Sequence, residues 1–320
     1  MKPIIWIATS LGVTALLAGC GPKPSATPPH GKANVAYAGS LAEVNDQVIG
    51  PNFSQATGYQ YLGQGGGSFG MAQKLASHTI NANVFESVGY APIQILEPKL
   101  TRWAVSFASS PLVIAFNPKS RYGPELTAIQ HGKKPLKDLF RLMQSPGFRL
   151  GRTNPGTDPQ GQAFYMMVEL AQKHFHLPPD TTEKVLGAPD NPHQVYSEEG
   201  ILTLLQSGSL DAASAFLSEA QQRHLDYIPL PRTLNFADPS ENAWYHQASV
   251  KTPSGVVHGS ALTIDITTVG KVTPAAQSFI HFVLGPRGRA LMQKAGYTTF
   301  PAHLYGTRSA VPKKIRAELS

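Results

Sequence analysis

Phe148–His174 reads FRLGRTNPGTDPQGQAFYMMVELAQKH. Its apolar start through Arg152 has strand character, Asn154-Pro155-Gly156 stops the strand, and apolar residues return at helical spacing between Gly161 and His174. Two strand-to-helix units also precede it in the chain. A strand at Asn34–Ala38 runs into Gly39-Ser40-Leu41, and a strand at Tyr59–Leu62 breaks into a loop at Gly63–Gly67 before a helix over Phe69–Ser77. Trp103–Phe107 and Leu112–Phe116 are short apolar runs of strand type, and Leu136–Met143 has helical spacing. In Pro274–Ala295, Ala276, Phe279, Ile280, Val283, Leu284, Leu291 and Met292 trace two helices joined at Gly285-Pro286. Short strands alternating with helices predict an α/β protein with mostly parallel sheets flanked by helices.

The N-terminus reads differently. Lys2 precedes an apolar run that ends in Leu17-Ala18-Gly19-Cys20, which resembles a bacterial lipobox and predicts a lipoprotein signal peptide over residues 1–20. Cys20 would then carry the lipid and tether the protein to the cell membrane on its extracytoplasmic side. The run is short for a membrane span. Residues 21–32, GPKPSATPPHGK, hold four prolines and no large apolar side chain, so they read as a disordered spacer.

Bulk composition narrows the chemistry. Cys20 is the only cysteine, which excludes internal disulfides, thiolate catalysis and cysteine-based zinc sites. Of the 320 residues about 300 remain after processing, enough for two ordinary domains. Losing Lys2 lowers the formal net charge from +7 to +6, a mild field for small anions. No nucleic-acid module is visible, and no cofactor is expected.

In open α/β sheets, ligands gather where strands end and helix N-termini present unpaired N–H groups. Three such loops stand out: Gly39-Ser40-Leu41, Gly65-Gly66-Gly67-Ser68, and Thr153–Pro159 with Asp158. Each pairs small residues, which let backbone approach a ligand, with a polar group. Other readings of the same residues compete. Gly66-Gly67-Ser68-Phe69-Gly70 fits the nucleophile elbow G-x-S-x-G, which would make Ser68 the nucleophile of a serine hydrolase, but the match lies in a glycine run. Gly65-x-Gly67-x-x-Gly70 fits a dinucleotide fingerprint without its acidic partner. His174-x-His176 alternates at a helix end and reads as solvent-facing. Asp158 before Pro159 is also a plain helix cap.

Taken together, Ala38-Gly39-Ser40-Leu41, Gly67-Ser68, Trp103–Tyr122, Gly151–Gly161, Ser207–Pro231 and Phe279–Tyr297 resemble the molybdate/tungstate-binding proteins of ABC transporters, archaeal-type branch. The resemblance covers about Asn34 to Phe300. It implies a type II periplasmic-binding-protein fold, a two-lobed Venus flytrap that closes on an oxyanion, acts as a monomer without catalysis, and delivers its ligand to a permease. The chain would cross between lobes near Phe116–Lys119 and Ser249–Val257. This divides it into a first lobe over 33–116, a second over 117–250, a return over 251–305 and a tail over 306–320. Gly39, Ser40, Gly67 and Ser68 would bind oxo groups, and Asp158 would approach the metal centre. The family's second carboxylate, a Glu, aligns with Ala215 here; Ser214 and Phe216 flank it, and Glu219 lies four residues on. Sulfate, phosphate or an organic anion remain alternatives, since fold does not fix ligand. Tyr227 and Tyr245 are candidates for a further donor.

Overall fold

The computed structural model describes residues 30–319. The expected signal peptide, Cys20 and the spacer up to Pro29 lie outside the described residues. The strands are β1 Lys32–Ala38, β2 Gln60–Gly66, β3 Val84–Val88, β4 Trp103–Ser109, β5 Leu112–Phe116, β6 Leu150–Gly151, β7 Ala212–Phe216, β8 Asp226–Pro229, β9 Ser249–Thr252, β10 Gly255–His258, β11 Thr263–Thr268 and β12 Thr298–Gly306. They form a six-stranded sheet in the order β12-β4-β11-β3-β1-β2, a four-stranded sheet β6-β7-β5-β8, and the hairpin β9-β10. Each large sheet carries its own helices and makes one lobe. Every described strand and buried core residue falls between Lys32 and Ile315.

Parallel pairing is confined to β1–β2, β1–β3 and β6–β7, while β11, β12, β5 and β8 pair antiparallel. The expected predominance of parallel pairs therefore does not hold within this α/β fold. The physical reason is the crossing: a chain that leaves a sheet at its cleft end after β4 and re-enters from the cleft at β11 must run the opposite way. The crossings also differ from expectation. β5 pairs with β7 and β8, so the first passage is Ser110-Pro111 instead of Phe116–Lys119. Ser249–Val257 lies in the β9–β10 hairpin, held to the second lobe by Glu169 Oε2 accepting from Ser249 N at 2.9 Å, and the return runs through residues 259–262.

Two further segments depart from the sequence reading. β2 continues through Gly63 to Gly66 in register with β1. A Cβ on Gly63 would lie 2.6 Å from Asp46 Oδ1 and 2.8 Å from Tyr37 Cε1. The glycine makes room for Asp46, which accepts from the Tyr37 and Tyr61 hydroxyls at 2.7 and 2.8 Å. The described part of the expected tail, residues 306–319, packs onto the first lobe. Val311 and Ile315 are buried in the main core, and the Lys313–Arg316 helix packs on the Pro274–Leu284 helix.

The Pro274–Leu284 and Pro286–Lys294 helices meet at Gly285 as their spacing predicts. The first is capped by Thr273, whose hydroxyl accepts from Ala276 N at 3.1 Å. It drives Phe279 against Phe53, ring centroids 5.2 Å apart in an edge-to-face contact. Full burial of one such ring contributes roughly 1.5–3 kcal/mol. This packing holds β1 and its cleft end in place.

Candidate functional site

Ala38 and Gly66 are partners in the β1–β2 ladder, so the chain enters two turns side by side at the cleft end of the sheet. Ser40 follows in the short 3-10 turn Gly39–Leu41, and Ser68 opens the Ser68–Ala76 helix. Both serines are buried, at 3% and 0% exposure. Ser68 Oγ accepts from Val88 N at 3.1 Å, which spends a lone pair and leaves its O–H hydrogen to donate elsewhere. Among the described residues its hydrogen-bond partner is the Val88 backbone, and no histidine holds that hydroxyl as a nucleophile's base would. Ser40 Oγ is buried with no hydrogen-bond partner among the described residues, while Ser40 O accepts from the Tyr297 hydroxyl at 3.0 Å. A buried hydroxyl without a partner costs about 1–3 kcal/mol, so it marks a place built for something else.

The second lobe meets these turns directly. Asp158 caps the Pro159–His174 helix, its Oδ1 accepting from Gln160 N at 2.8 Å. Thr157 O accepts from Phe69 N at 3.1 Å and Gly70 N at 3.3 Å, bonding the second lobe to the first turn of the Ser68–Ala76 helix. A Cβ on Gly67 would lie 2.8 Å from Thr157 O and 3.3 Å from Asp158 Cβ. The lobes are thus closed on each other here, and Gly67 is the residue whose smallness permits it. Gly67, Ser68 and Asp158 come together; Asp158 is both a cap and a cleft residue.

The carboxyl that lies beside Asp158 is that of Glu219. Ala215 is 0% exposed and sits on the face of β7 that packs with Ile201, Leu202 and Leu205, so a side chain there would aim away from the cleft. Ser214 takes the opposite face and donates to Gln160 Oε1 at 2.9 Å. Alternation along the strand decides this, and a sequence alignment does not show it. Glu219, in the first turn of the Leu217–Gln222 helix, folds back so that Oε2 accepts from Phe216 N at 2.7 Å and Gln160 Nε2 at 3.0 Å. Burial pushes its pKa up to about 7, with the neighbouring Asp158 charge adding to the rise. With Oε2 occupied by two donors, Oε1 carries the proton when the group is neutral. A Glu three residues past a strand end, at a helix's first turn, is the capping-box signal that could have found it.

The tyrosine that reaches the Gly39–Leu41 turn is Tyr297. Its phenol is buried, and burial keeps it protonated, so it remains a donor to Ser40 O. Tyr245 instead bonds Arg232 O and stacks on Phe236 with centroids 4.5 Å apart. Tyr227 lies in β8 against the Ile201–Leu210 cluster. A cavity of about 340 Å³ adjoins the closed turns, with Phe69, Val88 and Tyr90 from one lobe and Gln162 and Met166 from the other.

Two α/β lobes joined by two passages, with buried hydroxyls and carboxyls where strand ends and helix starts meet, form the kind of cleft in which open α/β sheets bind ligands. Residues 33–298 match the family of bacterial extracellular solute-binding proteins, and the chain belongs to it. Among its relatives, the molybdate/tungstate-binding protein WtpA of Pyrococcus abyssi is 25% identical over 89% of this chain and 90% of its own. A putative ABC transporter molybdenum-binding protein of Haloferax volcanii is 30% identical over 64% of this chain and 63% of its own. In fold, the chain is similar to the periplasmic molybdate-binding protein of Azotobacter vinelandii, with a TM-score of 0.56 at 16% identity over 83% of this chain and 98% of that one. The sulfate-binding protein SubI of Mycobacterium tuberculosis gives 0.57 at 12% identity over 90% of each.

Proposed function

We propose that the protein is a lipid-anchored ABC transporter component that captures molybdate or tungstate in this cleft and presents it to a permease. The observation that carries the reading is the buried Ser40 hydroxyl without a partner, set beside Ser68 with its free hydroxyl hydrogen. Gly39 and Gly67 let backbone N–H groups reach the same oxo groups. Neutral donors suit a dianion that must be desolvated without a counter-charge fixed in place. The relatives named for molybdate and tungstate support the choice of ligand.

Two carboxyls beside a dianion need an account. At an effective dielectric near 20, two unit charges about 4 Å apart repel by roughly 4 kcal/mol, and a dianion doubles that. Glu219 escapes the repulsion by taking its proton and donating to an oxo group, and its raised pKa favours this at neutral pH. Asp158 keeps one oxygen on the helix cap and turns the carboxyl toward the metal centre of the bound anion. The protein itself performs no reaction in this scheme. The N-terminal segment supplies the tether through Cys20.

Calorimetric titration with molybdate, tungstate, sulfate and phosphate in turn tests the proposal. Heat with the first two and none at matched concentration with sulfate or phosphate is expected. A titration in which only sulfate or phosphate binds would transfer the site to that anion and leave the fold untouched.

A further inference from the structure

The formal charge of this protein is not spread over it. Residues 271–320 hold eight Lys and Arg against one acid, Glu318, whereas residues 1–270 hold nineteen basic and nineteen acidic residues. The whole net charge of +7 therefore belongs to the last fifty residues. The fold brings much of it to two helices packed on the Pro274–Leu284 helix of the first lobe. The Pro286–Lys294 helix carries Arg287 and Lys294, the Lys313–Arg316 helix carries Lys313, Lys314 and Arg316, and both pack against the Pro274–Leu284 helix between them. All five side chains are exposed, and none has a carboxylate partner among the described ion pairs. Glu318 is taken by His281 at 3.0 Å. On the segment packed beside them, Asp46 is held by two tyrosine hydroxyls, and Glu43 is the remaining exposed acid.

A second observation places the chain's entry on the same side. His30, the first described residue, meets Tyr59 edge-to-face at 6.5 Å, and Tyr59 stacks on Phe53 at 6.3 Å. Phe53 contacts Phe282 at 5.9 Å, and Arg287 lies over Phe282 at 5.9 Å. A line of aromatic contacts thus joins the point where the N-terminal segment enters the fold to the edge of the basic surface. A tether through that segment attaches to the first lobe, the lobe that carries these basic helices. The charges stand on exposed helix faces, which suits a plane of anionic headgroups better than one shaped protein partner.

We propose that the surface formed by Arg287, Lys294, Lys313, Lys314 and Arg316 docks on anionic phospholipid headgroups, holding the first lobe against the membrane while the second lobe stays free to close. The tether reading orients the docking; the charge distribution stands without it. The test is co-sedimentation of residues 30–320, which contain every described strand and core residue, with vesicles of phosphatidylcholine alone or with phosphatidylglycerol. Leaving out the N-terminal segment means that a failure here tells nothing against the tether or the ligand. Binding to the anionic vesicles alone is expected, weakening at high salt as screening shortens the field. Each basic group near the surface contributes about fivefold in affinity. Changing Arg287→Gln, Lys294→Gln, Lys313→Gln and Arg316→Gln together should therefore lower partitioning by on the order of a hundredfold or more. The same charge removed from the second lobe with Lys119→Gln, Lys133→Gln, Lys137→Gln and Arg141→Gln should change it little. Equal losses from the two quartets, or no preference for anionic vesicles, would overturn the proposal. So would binding to a purified permease with no binding to the vesicles.

Discussion

Gly67→Ala separates closing from folding. Gly67 sits at φ −55°, ψ 132°, a conformation open to any residue, so the open protein accepts alanine without backbone strain. The closed one does not, because the new Cβ would stand 2.8 Å from Thr157 O and 3.3 Å from Asp158 Cβ. Neither neighbour is the end of a flexible side chain, so the second lobe must back away by several tenths of an ångström. That stretches the bonds from Phe69 N and Gly70 N to Thr157 O, now 3.1 and 3.3 Å. Each such bond contributes about 0.5–1.5 kcal/mol net, so losing both costs about 1–3 kcal/mol in the closed state alone. Binding draws on the closed state, so the apparent Kd should rise between about fivefold and 150-fold. Calorimetry with molybdate or tungstate measures the affinity, and thermal unfolding without ligand checks the fold, where Tm should move by no more than about 2 °C. Unchanged affinity would refute the argument, since the lobes would then not need to meet at Thr157 to hold the ligand. A large fall in Tm without ligand would refute the separation of closing from folding.

Ser40→Ala should weaken oxyanion binding by about 10-fold to 150-fold, the range for losing a hydrogen bond to a charged group, while unliganded Tm holds or rises because an unpartnered buried hydroxyl has gone; calorimetry and thermal scans read the two. Tyr297→Phe removes the donor to Ser40 O and should cost about 1 kcal/mol of stability, seen as a lower urea midpoint at unchanged slope. For pH, Glu219 is the group to watch: its folded pKa is raised to about 7 from an ordinary 4.5, so the folded state prefers the neutral acid. Stability from this group is full below the unfolded value and is lost progressively as pH rises from about 4.5 to about 7. Glu219→Gln should flatten that decline in denaturation curves taken across the window. If the neutral acid donates to the anion, affinity in the parent should fall toward tenfold per pH unit above about 7 and stay level in the Gln variant, with proton uptake visible as buffer-dependent heats.

Local pattern carried much of the fold. β4 and β5 lie over their apolar runs, the Asp158-Pro159 cap starts its helix where the motif places it, and Gly285-Pro286 separates two helices. β3 and β11 escaped notice, each a five- or six-residue run buried on both faces, VFESV and TIDITT, with polar residues where a core strand is expected to be apolar. Polar groups in both strands have partners supplied from afar: Asn45 donates to Glu86 at 2.5 Å, and Thr267 donates to Trp103 O at 2.6 Å.

The candidate site divides the same way. The sequence alone determined that strand ends bearing Gly-Ser and Asn-Pro-Gly-Thr-Asp would open helices, because glycine, proline and capping residues act through their own backbone within one turn. The single cysteine, Cys20, is likewise read from it directly. Only the tertiary structure decided that Thr157 bonds the first turn of the opposite helix, that Ala215 packs on the Ile201–Leu205 side of its strand, and that Glu219 lies beside Asp158. Those outcomes depend on which face of β7 meets the Pro159–His174 helix and on where the chain crosses between sheets. Both are settled by packing residues more than fifty positions apart, a separation at which local pattern carries no signal.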